Sequence, residues 1–159
     1  MIGDGRLPQL SVRRSYPAPP DAVFRAFTEP GLLERWFRPS PDVTVKVTEL
    51  DLRVGGRYRF VFHFPGDRTA VVLGEYRAIA RPHRLAFTWT WEPPDPYAGI
   101  DTLVTIDLHA KEGGTELALT HASFPTEEIM RQHESGWDAV LESLHGLAGI
   151  LSAGARASE

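Results

Sequence analysis

Between Val43 and His121 apolar and polar residues alternate with a period of two, and from Thr126 to Ser152 the period lengthens to three and four. In that last stretch Ile129, Trp137, Val140, Leu141, Leu144, Leu147, Ala148 and Leu151 draw one stripe down an amphipathic helix. Thr126 is placed to cap its first free amides, Glu127 and Glu128 sit where the helix dipole favours acid, and Gly154 is placed to close the far end. At about 1.5 Å per residue the helix spans roughly 40 Å and needs an apolar partner of equal length.

The alternating stretch is that partner. Val43, Val45 and Val47 face one way against Thr44, Lys46 and Thr48, and Gly55-Gly56 turns the chain. Tyr58, Phe60, Phe62 and Phe64 then oppose Arg57, Arg59, Val61 and His63, and Pro65-Gly66-Asp67 turns it again. The next strand carries Gly74 in its interior, which predicts a bend or a close approach by another group. Leu85, Phe87, Trp89 and Trp91 form a further inward row, the segment Pro93 to Gly99 is a long loop, and two strands joined at Glu112-Gly113-Gly114 pair Val104, Ile106 and Leu108 with Leu117, Leu119 and His121.

Ahead of these, residues 9–16 predict a first strand that Pro17, Pro19 and Pro20 end. Two short helices follow, one with Val23, Phe24 and Phe27 and one with Leu32, Leu33, Trp36 and Phe37, with Pro30 as first residue of the second. The fold class is therefore α+β: a curved antiparallel sheet of seven strands wrapped around a long C-terminal helix. Residues 9–153 make a single domain, between tails at 1–8 and 154–159.

Composition narrows the function classes. A net charge of -4 and scattered basic residues, nearly all arginine, argue against nucleic acid or an anionic membrane as partner. The absence of cysteine removes disulfides, thiolate nucleophiles and zinc-thiolate sites. No apolar run is long enough to cross a bilayer and the first residues lack a signal-peptide core, so a cytoplasmic protein is expected.

Four segments, APPDAVFRAFTEPGLLERWF, PHRLAFTWTWE, GGTELALTHASFP and HESGWDAVLESL, resemble in this order the START-like, or SRPBCC, superfamily. Within it they are most similar to the branch named for activators of the ninety-kilodalton heat-shock protein's ATPase. The resemblance runs from about Leu10 to Leu151. It implies a helix-grip fold with an internal, mostly apolar cavity, and a branch whose bacterial members mostly lack an assigned function.

One helix covers only part of a curled sheet, so Trp36, Phe37, Tyr58, Phe60, Phe62, Trp89, Trp91, His121, His133, Trp137 and Leu141 are the candidate cavity walls; the alternative is that they fill a solid core. His121, His133 and Glu134 are the one cluster with catalytic potential, an imidazole beside a carboxylate being a general base near neutral pH; the competing reading is that both imidazoles satisfy backbone groups or each other. Their spacing does not suit a metal, Gly55-Gly56 and Gly113-Gly114 lie between strands rather than ahead of a helix, and no nucleophile motif occurs, so neither metal nor cofactor is expected. Gly136 lets a neighbour or a ligand come close to the helix, or is a packing accommodation. The leading expectation is a module that encloses a small hydrophobic molecule. An enzyme of the cyclase, isomerase or hydrolase type on an aromatic or polyketide-like compound is the second, and a co-chaperone-like module stimulating a heat-shock ATPase, with the outer sheet face or the loop from Pro93 to Gly99 as contact surface, is the third. A homodimer is a further candidate assembly.

Overall fold

The computed structural model describes residues 7–158, with side chains described as far as residue 149. Strand β1 (Leu10–Tyr16) leads into helices α1 (Pro20–Thr28) and α2 (Pro30–Trp36); then come β2 (Thr44–Leu50), β3 (Arg57–Phe64), β4 (Arg68–Ala80), β5 (Arg84–Trp91), β6 (Thr102–Lys111), β7 (Gly114–Ala122) and α3 (Glu127–Ser158). The strands form one antiparallel sheet in the order β1-β7-β6-β5-β4-β3-β2. This is the expected helix-grip architecture.

Local chemistry accounts for the element ends. Pro20 and Pro30 each open a helix, where the missing amide would have had no intrahelical partner. The Thr126 hydroxyl accepts a hydrogen bond from the Ile129 amide at 3.2 Å, capping α3 as its position predicts. The far end of α3 differs from expectation. The helix runs through Gly154 to Ser158, so that glycine does not close it and the segment 154–158 is helical rather than a tail. A glycine ends a helix only by turning left-handed; left in helical conformation it costs roughly 1 kcal/mol and nothing more. Residues 1–6 and the side chain of Leu151 lie outside what the structure describes.

The registers follow the alternation. Val104, Ile106 and Leu108 stand opposite His121, Leu119 and Leu117. On α3 the stripe Trp137, Val140, Leu141, Leu144, Leu147 and Ala148 is buried against the sheet, while Ile129 at its start is half-buried. Edge strand β2 departs from strict alternation: its pairing with β3 shifts between Val47 and Glu49, a bulge that leaves Val47 only partly covered. At Gly74 a side chain would meet the Thr88 carbonyl oxygen and the Tyr58 ring, so this position does host the close approach its place in a strand predicts. The space so kept lets the Tyr58 hydroxyl donate to the Thr88 carbonyl. Burial holds the Tyr58 phenol well above its ordinary pKa.

Candidate functional site

The inward rows of β3 and β5 run side by side with β4 between them, and two different covers lie over them. Over Tyr58, Phe60, Tyr76 and Phe87 sit Phe27 from α1, Leu33 from α2 and Phe37, leaving a void of only about 10 Å³. Further along the same strands a cavity of about 240 Å³ remains. Phe37 and Pro39 bound it at one side; Phe62, Phe64, Ala70, Trp89 and Trp91 form its floor; Gln132, His133, Gly136, Trp137 and Val140 of α3 form its roof. Asp95 and Tyr97, from the loop after β5, complete the wall.

Of the side chains singled out from the sequence, Phe37, Phe62, Trp89, Trp91, His133 and Trp137 line this cavity. Trp36, Tyr58, Phe60, His121 and Leu141 do not. Trp36 packs edge-on against Phe27 and donates its indole N–H to the Ala26 carbonyl at 2.9 Å. Tyr58 and Phe60 belong to the closed half, Leu141 lies under the helix, and His121 is enclosed between the sheet and Trp137.

The two imidazoles have definite proton positions. His133 Nδ1 lies 2.9 Å from the Ile129 carbonyl, which can only accept, so Nδ1 carries the proton and Nε2 accepts from the Trp91 indole at 3.0 Å. His121 Nδ1 accepts from the Trp137 indole at 2.9 Å, so its proton is on Nε2, which donates to the Thr102 hydroxyl at 2.7 Å; that hydroxyl donates in turn to the Trp89 carbonyl at 2.8 Å. Both rings are therefore neutral with both nitrogens engaged. Burial pushes the His121 imidazole well below its ordinary pKa and nearby His133 adds to this. Burial also lowers His133, against the opposing pull of its bond to Ile129 and of the Asp95 carboxylate. The ring centres lie 5.4 Å apart, yet Glu134 bonds to neither. As arranged, the cluster fastens α3 to the sheet through two tryptophans and offers no free nitrogen to take a proton.

Pro39, Phe64, Ala70, Asp95, Tyr97, Gln132, Gly136 and Val140 line the cavity without having been named as walls, although Phe64 stood on the inward row of its strand. Val140 was legible on the helical stripe, and Gly136 as the glycine beside Trp137. Asp95 and Tyr97 were not, because a proline-rich loop carries no periodicity. That loop folds back on the strand: Ala98 bridges to Trp91, the Asp95 side chain accepts from the Tyr97 amide at 2.8 Å, and the Tyr97 ring stands 5.3 Å from His133.

A profile of the family described as "Activator of Hsp90 ATPase homolog 1-like protein" matches residues 17–149, the span from the end of β1 to the buried part of α3. The chain belongs to this family. Its place in the START-like superfamily is borne out by solved structures. A protein from Chromobacterium violaceum superposes with a TM-score of 0.79 at 28% identity, covering 88% of this chain and 96% of that one. One from Rhodobacter sphaeroides gives 0.78 at 28% identity over 95% and 99%. The AHSA1 protein of Silicibacter pomeroyi, 23% identical, shares the fold with a TM-score of 0.78 over 90% and 99%. No protein of curated function matches the chain in sequence. Among the described residues no helix is long and apolar enough to cross a membrane.

Proposed function

We propose that this protein of the activator-of-Hsp90-ATPase-like family is a binding module that encloses a small hydrophobic molecule between the sheet and α3. The observation that carries the reading is the cavity of about 240 Å³ with aromatic side chains on several sides. A dry apolar cavity of about 150 Å³ is enough to take up benzene, so a space of this size suits a one- or two-ring guest. Asp95, Tyr97 and Gln132 provide a polar rim around an apolar interior. The enzyme reading is less well supported, because every ring nitrogen of His121 and His133 already has a partner. Native mass spectrometry of protein taken from its own cell, together with thermal melts against a panel of small aromatics, tests the proposal. A retained mass or a melt raised by saturable binding is the expected result; protein that is always empty and indifferent to every apolar guest would overturn it.

The family's name favours a second reading, a co-chaperone-like module. A pull-down against the heat-shock ATPase followed by an activity assay decides it, and absence of both binding and stimulation would remove it.

A further inference from the structure

Among the described residues the cavity wall carries one charged side chain, the Asp95 carboxylate, and neither lysine nor arginine. The histidine in that wall, His133, is neutral, because its Nε2 accepts from the Trp91 indole. Asp95 is half-buried, and its carboxylate accepts one hydrogen bond, from the Tyr97 amide at 2.8 Å. It forms no ion pair with any described residue. Its field nevertheless reaches the roof of the cavity, where it pulls the His133 imidazole upward against the burial that lowers it. Aromatic rings stand around the same place: Tyr97 lies 5.3 Å and Trp91 6.3 Å from the His133 ring, and Trp91 is 6.1 Å from Phe62.

Resting on the reading of the cavity as a binding site, we propose that its guest is an organic cation, an amine or quaternary ammonium on an apolar body, with the positive group held by Asp95 and the rings of Trp91 and Tyr97. Two features of the wall select the same sign of charge. A carboxylate acts on a charged guest across several ångströms without touching it, and the faces of aromatic rings attract cations as well. An anionic guest is repelled, and a neutral one strips water from the carboxylate without compensating it. The one cation that stacks on a wall ring is Arg68, whose guanidinium stands 5.8 Å from the centre of Phe64; it is exposed and screened by solvent, and it does not line the cavity. The apolar body of the guest lies against Phe62, Trp89 and Trp137, the part of the wall without charge.

The test is an NMR titration of nitrogen-labelled protein, read at the tryptophan indoles, with phenyltrimethylammonium and its neutral isostere tert-butylbenzene. Both probes are expected to bind and to displace one another. Asp95→Asn, which keeps an oxygen for the Tyr97 amide, is expected to weaken the cation roughly fivefold relative to the neutral probe, the factor that one charge about 4 Å away gives in water-like surroundings. Added sodium chloride is expected to weaken the cation relative to the neutral probe as well. Binding of the cation alone, weakened by Asp95→Asn, also supports the inference. Equal losses for both probes in folded Asp95→Asn, binding of the neutral probe alone, or a cation that leaves the neutral probe in place would overturn it while leaving the binding module standing. Failure of both probes to bind would overturn this inference and count against the proposed function together. Should Asp95→Asn not fold, the salt series on the unsubstituted protein decides: a loss confined to the cation supports the inference, and the same dependence for both probes overturns it.

Discussion

Phe60 and Phe62 are two residues apart on one strand, point to the same side of the sheet, and are 5% and 4% exposed, but their surroundings differ. Phe60 lies in the half where Phe27, Leu33 and Phe37 close over the sheet and leave almost no free volume. Phe62 borders the cavity, where the roof is α3 and one of its positions, Gly136, presents no side chain. A side chain added there would meet nothing within 4 Å. Phe37 belongs to both halves and marks the boundary between them. The lesson is that removal from solvent and close packing are separate properties. Two short helices can plug one end of a concave sheet; one long helix spanning it leaves a gap wherever its side chains are short.

The comparison can be broken outright by removing the helix that roofs the open half. Leu144 is fully buried on α3 within the apolar core, and Leu144→Asp is expected to cost several kcal/mol out of a total of about 5 to 15. Circular-dichroism melts should show no cooperative transition near the parent temperature. A parent-like melt would mean that α3 does not hold the sheet.

A sharper test uses the two phenylalanines themselves. Phe60→Ala is expected to cost about 3 to 5 kcal/mol, and Phe62→Ala at least about 1 kcal/mol less, since a side chain already facing empty space has fewer neighbours to lose. Urea unfolding of both variants measures this, and equal losses would erase the distinction between the halves.

The histidines of the open half make its stability depend on pH. In the folded chain both imidazoles are held below the ordinary value of 6.5, so as pH falls below 6.5 the unfolded chain takes up protons that the folded chain refuses. Stability is thus complete above 6.5 and is lost as pH falls, until the folded state also protonates. Enclosed His121 contributes at most about 1.4 kcal/mol per pH unit, and His133 less, because solvent and Asp95 screen it. Melts between pH 7.5 and 5 should fall, and His121→Gln, although less stable at pH 7.5, should lose less over that range. An unchanged pH slope in that variant would contradict the neutral, fully bonded state.

The smallest effect is expected at Gly136. Gly136→Ala should raise stability by about 1 kcal/mol through helix propensity, since its side chain enters open space, and should weaken binding of an apolar probe if that space is the guest's. A destabilised variant would show that the helix backbone there is packed more tightly than its surroundings indicate.

Most of the architecture was readable from periodicity. The seven strands, the proline that opens α2, the threonine cap of α3 and the pairing of Val104, Ile106 and Leu108 across to β7 all follow from short-range rules about which face is apolar and which groups end an element. The far end of α3 was not readable, because Gly154 is compatible with a helix that stops and with one that continues. For the site, the inward aromatics of β3 and β5 were plain, but which of them are plugged and which border a cavity was not.

The sequence by itself determined which side chains leave water, because alternation along a strand and the helical stripe on α3 are local properties of the chain. Only the tertiary structure decided what those side chains meet once buried. It set Trp36 against Ala26, tied Trp91 and Trp137 to two neutral histidines, folded Asp95 and Tyr97 back over the cavity and left the Trp89 indole without a partner. These are relations between residues as many as 42 positions apart, and they depend on the volume left between two surfaces, which no local pattern records.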